Sequence, residues 1–244
     1  MAVSGHYLAM RARRSARAHV RAFGECVFHD VLPSLTNLEK RAEEVADAEY
    51  ARLGSQPADE YCSYDMADAA EDANEKGLAF YETMVGVRQA VLNLFTAGLF
   101  HLVEQELAEL CSDASMLAPP PVDSKLETVA EWYRQHFYLD LQSLPSWQPI
   151  DELSLAANAV KHGEGPSARK IRALRPELFQ NPILGKLFPG WKAASQPLRL
   201  PLGGVDLYIT QEHFGHYSQA AERLVKEIID HFEEHENDLY TRSC

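Results

Sequence analysis

The chain has 244 residues, is 46% hydrophobic and 24% charged, and carries a formal net charge of −13. That balance fits one globular domain, or one domain with a small appendage, and disfavours general nucleic-acid binding through bulk electrostatics. No run approaches the roughly 18 consecutive apolar residues of a membrane-spanning helix, so a soluble, cytoplasmic protein with no membrane association is expected.

Residues 1–24 contain no acid but hold Arg11, Arg13, Arg14, Arg17 and Arg21. No apolar segment follows them, which argues against a secretory signal. A basic, disordered arm, an organelle transit peptide and an over-long start of the reading frame all fit; a separate arm is expected. Residues 25–244 read as a single helical domain. Val27, Phe28, Val31, Leu32, Leu35, Leu38 and Val45 recur at helical spacing, with Pro33 starting or kinking the helix. Gly54-Ser55-Gln56-Pro57 reads as a loop.

A longer helix is predicted from about Asp65 to Leu110, with an apolar face running from Tyr81 to Leu110. Gly77, Gly86 and Gly98 within it mark close helix crossings or a break. Pro119-Pro120-Pro121 forces an extended linker. Ser124 and Glu127 form an S-x-x-E capping box for a third helix along Leu126, Val129, Tyr133 and Phe137. A fourth helix runs from about Ile150 to His162, with Pro149 in its first turn and Gly163 just past its end. A short basic helix follows Ser167 and stops at Pro176. Residues 180–210 read as an irregular insertion. It contains a small β-hairpin near 198–209, where Leu198, Leu200 and Leu202, then Val205, Leu207 and Ile209, alternate about Gly203-Gly204. Thr210 caps the last helix, whose stripe is Phe214, Tyr217, Ala221, Leu224, Val225, Ile228 and Phe232. The expected fold is all-α: a bundle of about five main helices with one β-hairpin insertion.

Cys26, Cys62, Cys111 and Cys244 include no C-x-x-C pair and read as free thiols, with Cys26 and Cys111 buried. No metal and no cofactor is expected. His231 and His235 stand four apart but read as part of a solvated acidic face, and His101 with Glu104 as a buried hydrogen-bonded pair. Charge is uneven. Residues 39–76 are acidic, with Glu43, Glu44, Asp47, Asp68, Glu71, Asp72 and Glu75. Residues 161–199 hold Lys161, Arg169, Lys170, Arg172, Arg175, Lys186, Lys192 and Arg199 against Glu164 and Glu177. Such a basic surface either contacts phosphates or pairs with the protein's own acids, the second being the default.

Ser154, Asn158 and His162, spaced by four, line one helix face, and a histidine at a helix carboxyl end can exchange protons near neutral pH. The bland alternative is that Asn158 and His162 bond a neighbouring helix. Asn158-Ala159-Val160-Lys161-His162-Gly163 resembles the N-x-x-x-H core of HEPN domains. The match covers the bundle loosely and this hexapeptide sharply. The resemblance implies metal-independent RNA cleavage at a dimer interface, in a bacterial stress, toxin–antitoxin or phage-defence system, with an arginine holding the phosphate and the histidine moving a proton. Active members place that arginine four to six intervening residues upstream of the histidine. Here those positions are Ala157, Ala156 and Leu155. The clamp would have to come from Arg169 or Arg172, with Lys161, Lys170 and Arg175 as further phosphate contacts. Otherwise the chain is a non-catalytic module that binds a protein partner or forms a homodimer, which is the favoured expectation.

Overall fold

The computed structural model describes residues 4–55, 66–115, 118–182, 184, 198 and 206–235. Helices take up about 82% of these residues and no strand occurs among them. No helix among them is long and apolar enough to cross a membrane.

The described part of the N-terminal segment, from residue 4 on, is helical. It forms α1 (Gly5–Arg14) and α2 (Ala16–Cys26), with Ser4 accepting from the Tyr7 amide to cap the first. Leu8, Ala12, Ala16 and Val20 follow one another at four-residue intervals and are all fully buried, a stripe one helix face can bury. The arginines that dominate the composition lie around that stripe. Arg11 pairs with Asp113 at 2.9 Å and Arg13 with Glu233 at 2.7 Å, tying this segment to later helices.

The helix expected from Val27 onward is interrupted. After α2 the chain widens into a π-helical turn, Val27–Val31, then makes a short α3, Leu32–Ser34, with Pro33 in its first turn. A proline ring clashes with the carbonyl four residues back, and a wider turn accommodates it. Asn37 then takes a left-handed conformation (φ 54°) and the chain reverses into α4 (Leu38–Gly54).

Helix α5 (Met66–Asp113) has 48 residues and so extends about 72 Å. Its first half runs antiparallel to α4. Its second half packs on α2, on α6 (Leu126–Trp132), on α7 (Trp147–His162) and on the last helix, α9 (Gln211–Glu234). The buried residues of the α4–α5 pair, Leu38, Leu53, Ala69 and Ala73, lie outside the main hydrophobic core. A two-helix arm thus extends from a helical body. Gly77 and Gly98 are close crossings: a Cβ on Gly77 would sit 2.9 Å from the Ala42 carbonyl oxygen, and one on Gly98 3.2 Å from Phe23. Gly86 faces open space.

In the body, Phe137 stands edge-on to Tyr133 at 4.9 Å and to Phe232 at 4.8 Å. The expected Ser124–Glu127 capping box does not form. Lys125 precedes α6 without a side-chain cap, and the Leu126 amide donates to Glu104 of α5. A carboxylate from a packed neighbour has replaced the local cap. Helix α7 ends at His162, with Gly163 at φ 68°; α8 (Pro166–Leu174) and a 3-10 turn (Pro176–Phe179) follow. Most of the expected β-hairpin, including Leu200, Leu202, Gly203, Gly204 and Val205, lies outside the described residues, as do Cys62, Cys244, Lys186, Lys192 and Arg199. The described remnant is not strand. Leu207 and Ile209 are buried as their alternation predicts. Their carbonyls accept from the Asn93 and Gln89 side chains of α5, and the Tyr208 amide donates to Leu178. The segment meets its main-chain hydrogen-bonding requirement from helices rather than from a partner strand.

Candidate functional site

Four places carry polar chemistry: the carboxyl end of α7 with α8, a buried carboxylate on α5, a cleft at the start of α9, and the arm. The first holds the residues singled out from the sequence. His162 lies in the last turn of α7 and is exposed, while Ser154 and Asn158 are half-buried on the preceding turns. None of the three side chains hydrogen-bonds to another among the described residues. His162 therefore lacks the partner that fixes tautomer and ring direction in a catalytic imidazole.

The basic residues around it divide in two. Arg172 grips Glu164 with two hydrogen bonds of 3.1 and 2.7 Å and stacks over Phe179 at 4.4 Å. That guanidinium holds the Glu164 carboxyl below its usual range, helped by the Leu198 amide. Arg175 donates to Glu152 at 2.8 Å, a carboxylate only 7% exposed. Both pairs are charge-assisted, the first of them forked, and they anchor segments; they join α8 to α7 and to the chain before α9. Lys161 sits 5.8 Å over the Phe100 ring. Arg169 and Lys170 are exposed. The segment thus spends Arg172 and Arg175 on its own acids and presents Arg169 and Lys170 to solvent.

The histidine pairs take structural places. His231 donates through Nε2 to the Phe137 carbonyl at 2.9 Å, closing the π-turn (Tyr133–Phe137) that extends α6, and stacks on His235 at 4.3 Å. It is half-buried, not part of a solvated face. His101 is exposed and 3.7 Å from Glu104, so the expected buried pair is open to water on one side. No group of three or more His, Cys, Asp or Glu among the described residues could hold a metal ion. Cys111 is buried, and burial pushes its thiol up to about 12; Cys26, expected buried, is exposed.

Two constellations were not visible in the sequence. Glu106, buried on α5, accepts from Ser15 at 3.1 Å and from His19 at 2.5 Å. Their separations of 91 and 87 residues leave no local pattern. The second is a cavity of about 250 Å³ lined by Arg175, Glu212, His213, His216 and Tyr217. The His213–His216 spacing, one turn apart beside Tyr217, was its only trace in the sequence.

The arm carries a groove of about 380 Å³ between α4 and α5. Ala42, Ala46, Gly77, Leu78 and Tyr81 form its apolar part, and Glu39, Glu43 and Asp47 its charged edge. Leu78 is 58% exposed. Residues 38–54 and 66–82 together hold ten acids against four bases. No protein-family model matches this chain, and neither does any curated protein or solved structure.

Proposed function

We propose that this protein is a non-catalytic helical interaction module whose α4–α5 arm engages a protein partner or a second copy of the chain. The HEPN-like reading of Asn158 and His162, with its stress, toxin–antitoxin or phage-defence setting, belongs to the same proposal. The observation that carries it is the arm itself. Helix α4 packs chiefly on α5, outside the main core, and leaves Leu78 exposed above an acid-edged groove. A contiguous apolar groove edged by polar residues has the form of a contact surface. The forked ion pair of Arg172 favours the non-catalytic side, since a phosphate would have to displace Glu164 to reach it.

Light scattering across a concentration series tests the arm. Self-association is expected for wild type and its loss for Leu78→Arg, with the melting temperature unchanged because Leu78 is exposed. If wild type stays monomeric, the same variant pair is carried to a co-purified partner from the source cell. A complex that Leu78→Arg leaves intact removes the arm from the proposal.

The second reading is metal-independent RNA cleavage or RNA binding. It rests on exposed His162 and on exposed Arg169 and Lys170 of the helix that follows. Total RNA incubated with a chelator separates the two readings. No cleavage is expected from wild type or His162→Ala. Cleavage lost in His162→Ala by about 10²–10⁴-fold would establish the catalytic reading instead.

A further inference from the structure

The cleft at the start of α9 has the chemistry of a small-molecule site, and it does not depend on the arm. Tyr217 is only 2% exposed, lines the cavity, and its hydroxyl makes no hydrogen bond among the described residues. With no protein partner among them, the hydroxyl is free to bond a polar group that enters the cavity. Burial, reinforced by the charge of Glu152, pushes that phenol up, so the proton stays on and the group can donate.

Two more donors share the cavity. The Thr210 amide donates to His213 Nδ1 at 3.2 Å, and Thr210 Oγ1 is 3.0 Å from the same nitrogen. The Nδ1 atom is therefore an acceptor, and the neutral ring carries its proton on Nε2. Burial holds the His213 imidazole below its usual range, which keeps that tautomer at neutral pH. Arg175 uses Nε for Glu152 and places Nη1 3.7 Å from Glu177. Its Nη2 hydrogen-bonds to nothing among the described residues.

Charge decides the class of ligand. Three donors suit a carboxylate, but Glu212 on the same wall, with Glu177 and Glu152 against Arg175, gives the surroundings an acidic balance. A simple anion is repelled by it, and a simple cation meets Arg175. A zwitterion satisfies both ends. We propose that this cavity binds a small zwitterion of the α-amino-acid type, its carboxylate held by Arg175, His213 and Tyr217 and its ammonium by Glu212. The volume of about 250 Å³ falls just below the roughly 300–1,000 Å³ of sites for drug-sized molecules. A second, open depression shares Glu212 and His216 and reaches Phe28, which gives the ligand's side chain a direction.

The test is titration of the full chain with each of the standard amino acids, with acetate, methylammonium and inorganic phosphate as controls, read from the imidazole proton signals of His213 and His216. At least one amino acid should give saturable shifts, and acetate and methylammonium should bind about tenfold more weakly or worse, the worth of one charge-assisted contact. Tyr217→Phe, which keeps the ring and its packing, should weaken binding by about tenfold with the fold intact by circular dichroism. Glu212→Gln should abolish the preference for an amino acid over acetate. No saturable shift from any amino acid, acetate or phosphate binding as tightly as the best amino acid, or Tyr217→Phe binding like wild type would each overturn the proposal.

Discussion

The first half of α5, up to about Gly86, and its second half, from Leu92 to Asp113, meet their partners with opposite side-chain chemistry. Along the arm the contact with α4 uses Ala42, Ala46, Ala69, Ala73 and Gly77, small residues that let two backbones approach closely. In the body the same helix buries Leu92, Leu99, Phe100, Val103, Leu107 and Leu110 among several helices at once. Small-residue contacts bury little apolar area, and hydrophobic stabilisation scales with that area. The arm should therefore be the weaker unit and open before the body does, a common property of binding elements.

Truncations give the largest expected difference. Leu99 is fully buried, and Leu99→Ala should cost about 2–5 kcal/mol in urea denaturation, as deletion of a buried leucine side chain does. Leu53→Ala, at the far end of the arm, should cost less than this range and change hydrogen exchange only in 38–54 and 66–86. Equal global losses from the two would show that arm and body unfold as one unit.

Gly77→Ala comes next. The added Cβ would lie 2.9 Å from the Ala42 carbonyl oxygen and 3.0 Å from the Ala46 Cβ. Backbone cannot swing aside, so overpacking of about 1–3 kcal/mol is expected, offset by about 1 kcal/mol of helix propensity. Native-state hydrogen exchange should show faster opening of the arm with body protection unchanged. A variant as stable as wild type would mean that the helices separate without cost.

The arm and body differ also in how far the sequence revealed them. The 48-residue α5 was readable to within about three residues at each end, because its apolar face persists over many turns. So was α7, with Pro149 in its first turn and Gly163 just past its end. The stripe of Leu8, Ala12, Ala16 and Val20 was equally regular, but two of its members are alanines and five arginines surround it, and composition obscured it. Alternation at Leu207 and Ile209 correctly marked burial and wrongly implied a strand, since alternation reports which side chains point inward, not what the main chain bonds to. The site was harder. His162 was identified by spacing, whereas Tyr217, His213 and Arg175 meet across α8 and α9, and a pattern along one helix cannot show that meeting.

Acid should separate the two regions. Burial holds His231 below its usual value of 6.5, against the opposing effect of its bond to Phe137. The unfolded chain thus takes up the proton first. The body's stability from this group is full above about pH 6.5 and declines as the pH falls from there toward the folded value. In the arm, hydrogen bonds from Arg52 and Lys76 lower Glu49 from 4.5 to about 2. Its contribution is full above pH 4.5 and is lost between there and about 2. Mild acid should loosen the body while the Glu49 contact stays in place. His231→Gln, which can still donate to Phe137, should flatten the decline between pH 6.5 and 5 in thermal melts. Glu49→Gln should alter only the strongly acid limb. A decline that His231→Gln leaves unchanged would assign it to another group.

Gly86 offers the smallest effect and the cleanest check on where the arm begins. It lies inside α5 between the two contact regions, and a Cβ built there meets nothing within 4 Å. With no steric cost, Gly86→Ala should gain only the helix propensity difference, roughly 0.5–1 kcal/mol, chiefly by restricting the unfolded chain. If arm and body open independently, that gain should slow hydrogen exchange around residues 82–92 and raise the melting temperature only slightly. Should the arm need to bend at Gly86 to receive its partner, the alanine would weaken that complex while stabilising the free protein. Unchanged affinity with slower local exchange would show that α5 acts as a rigid rod through this point, carrying the arm at a fixed angle from the body.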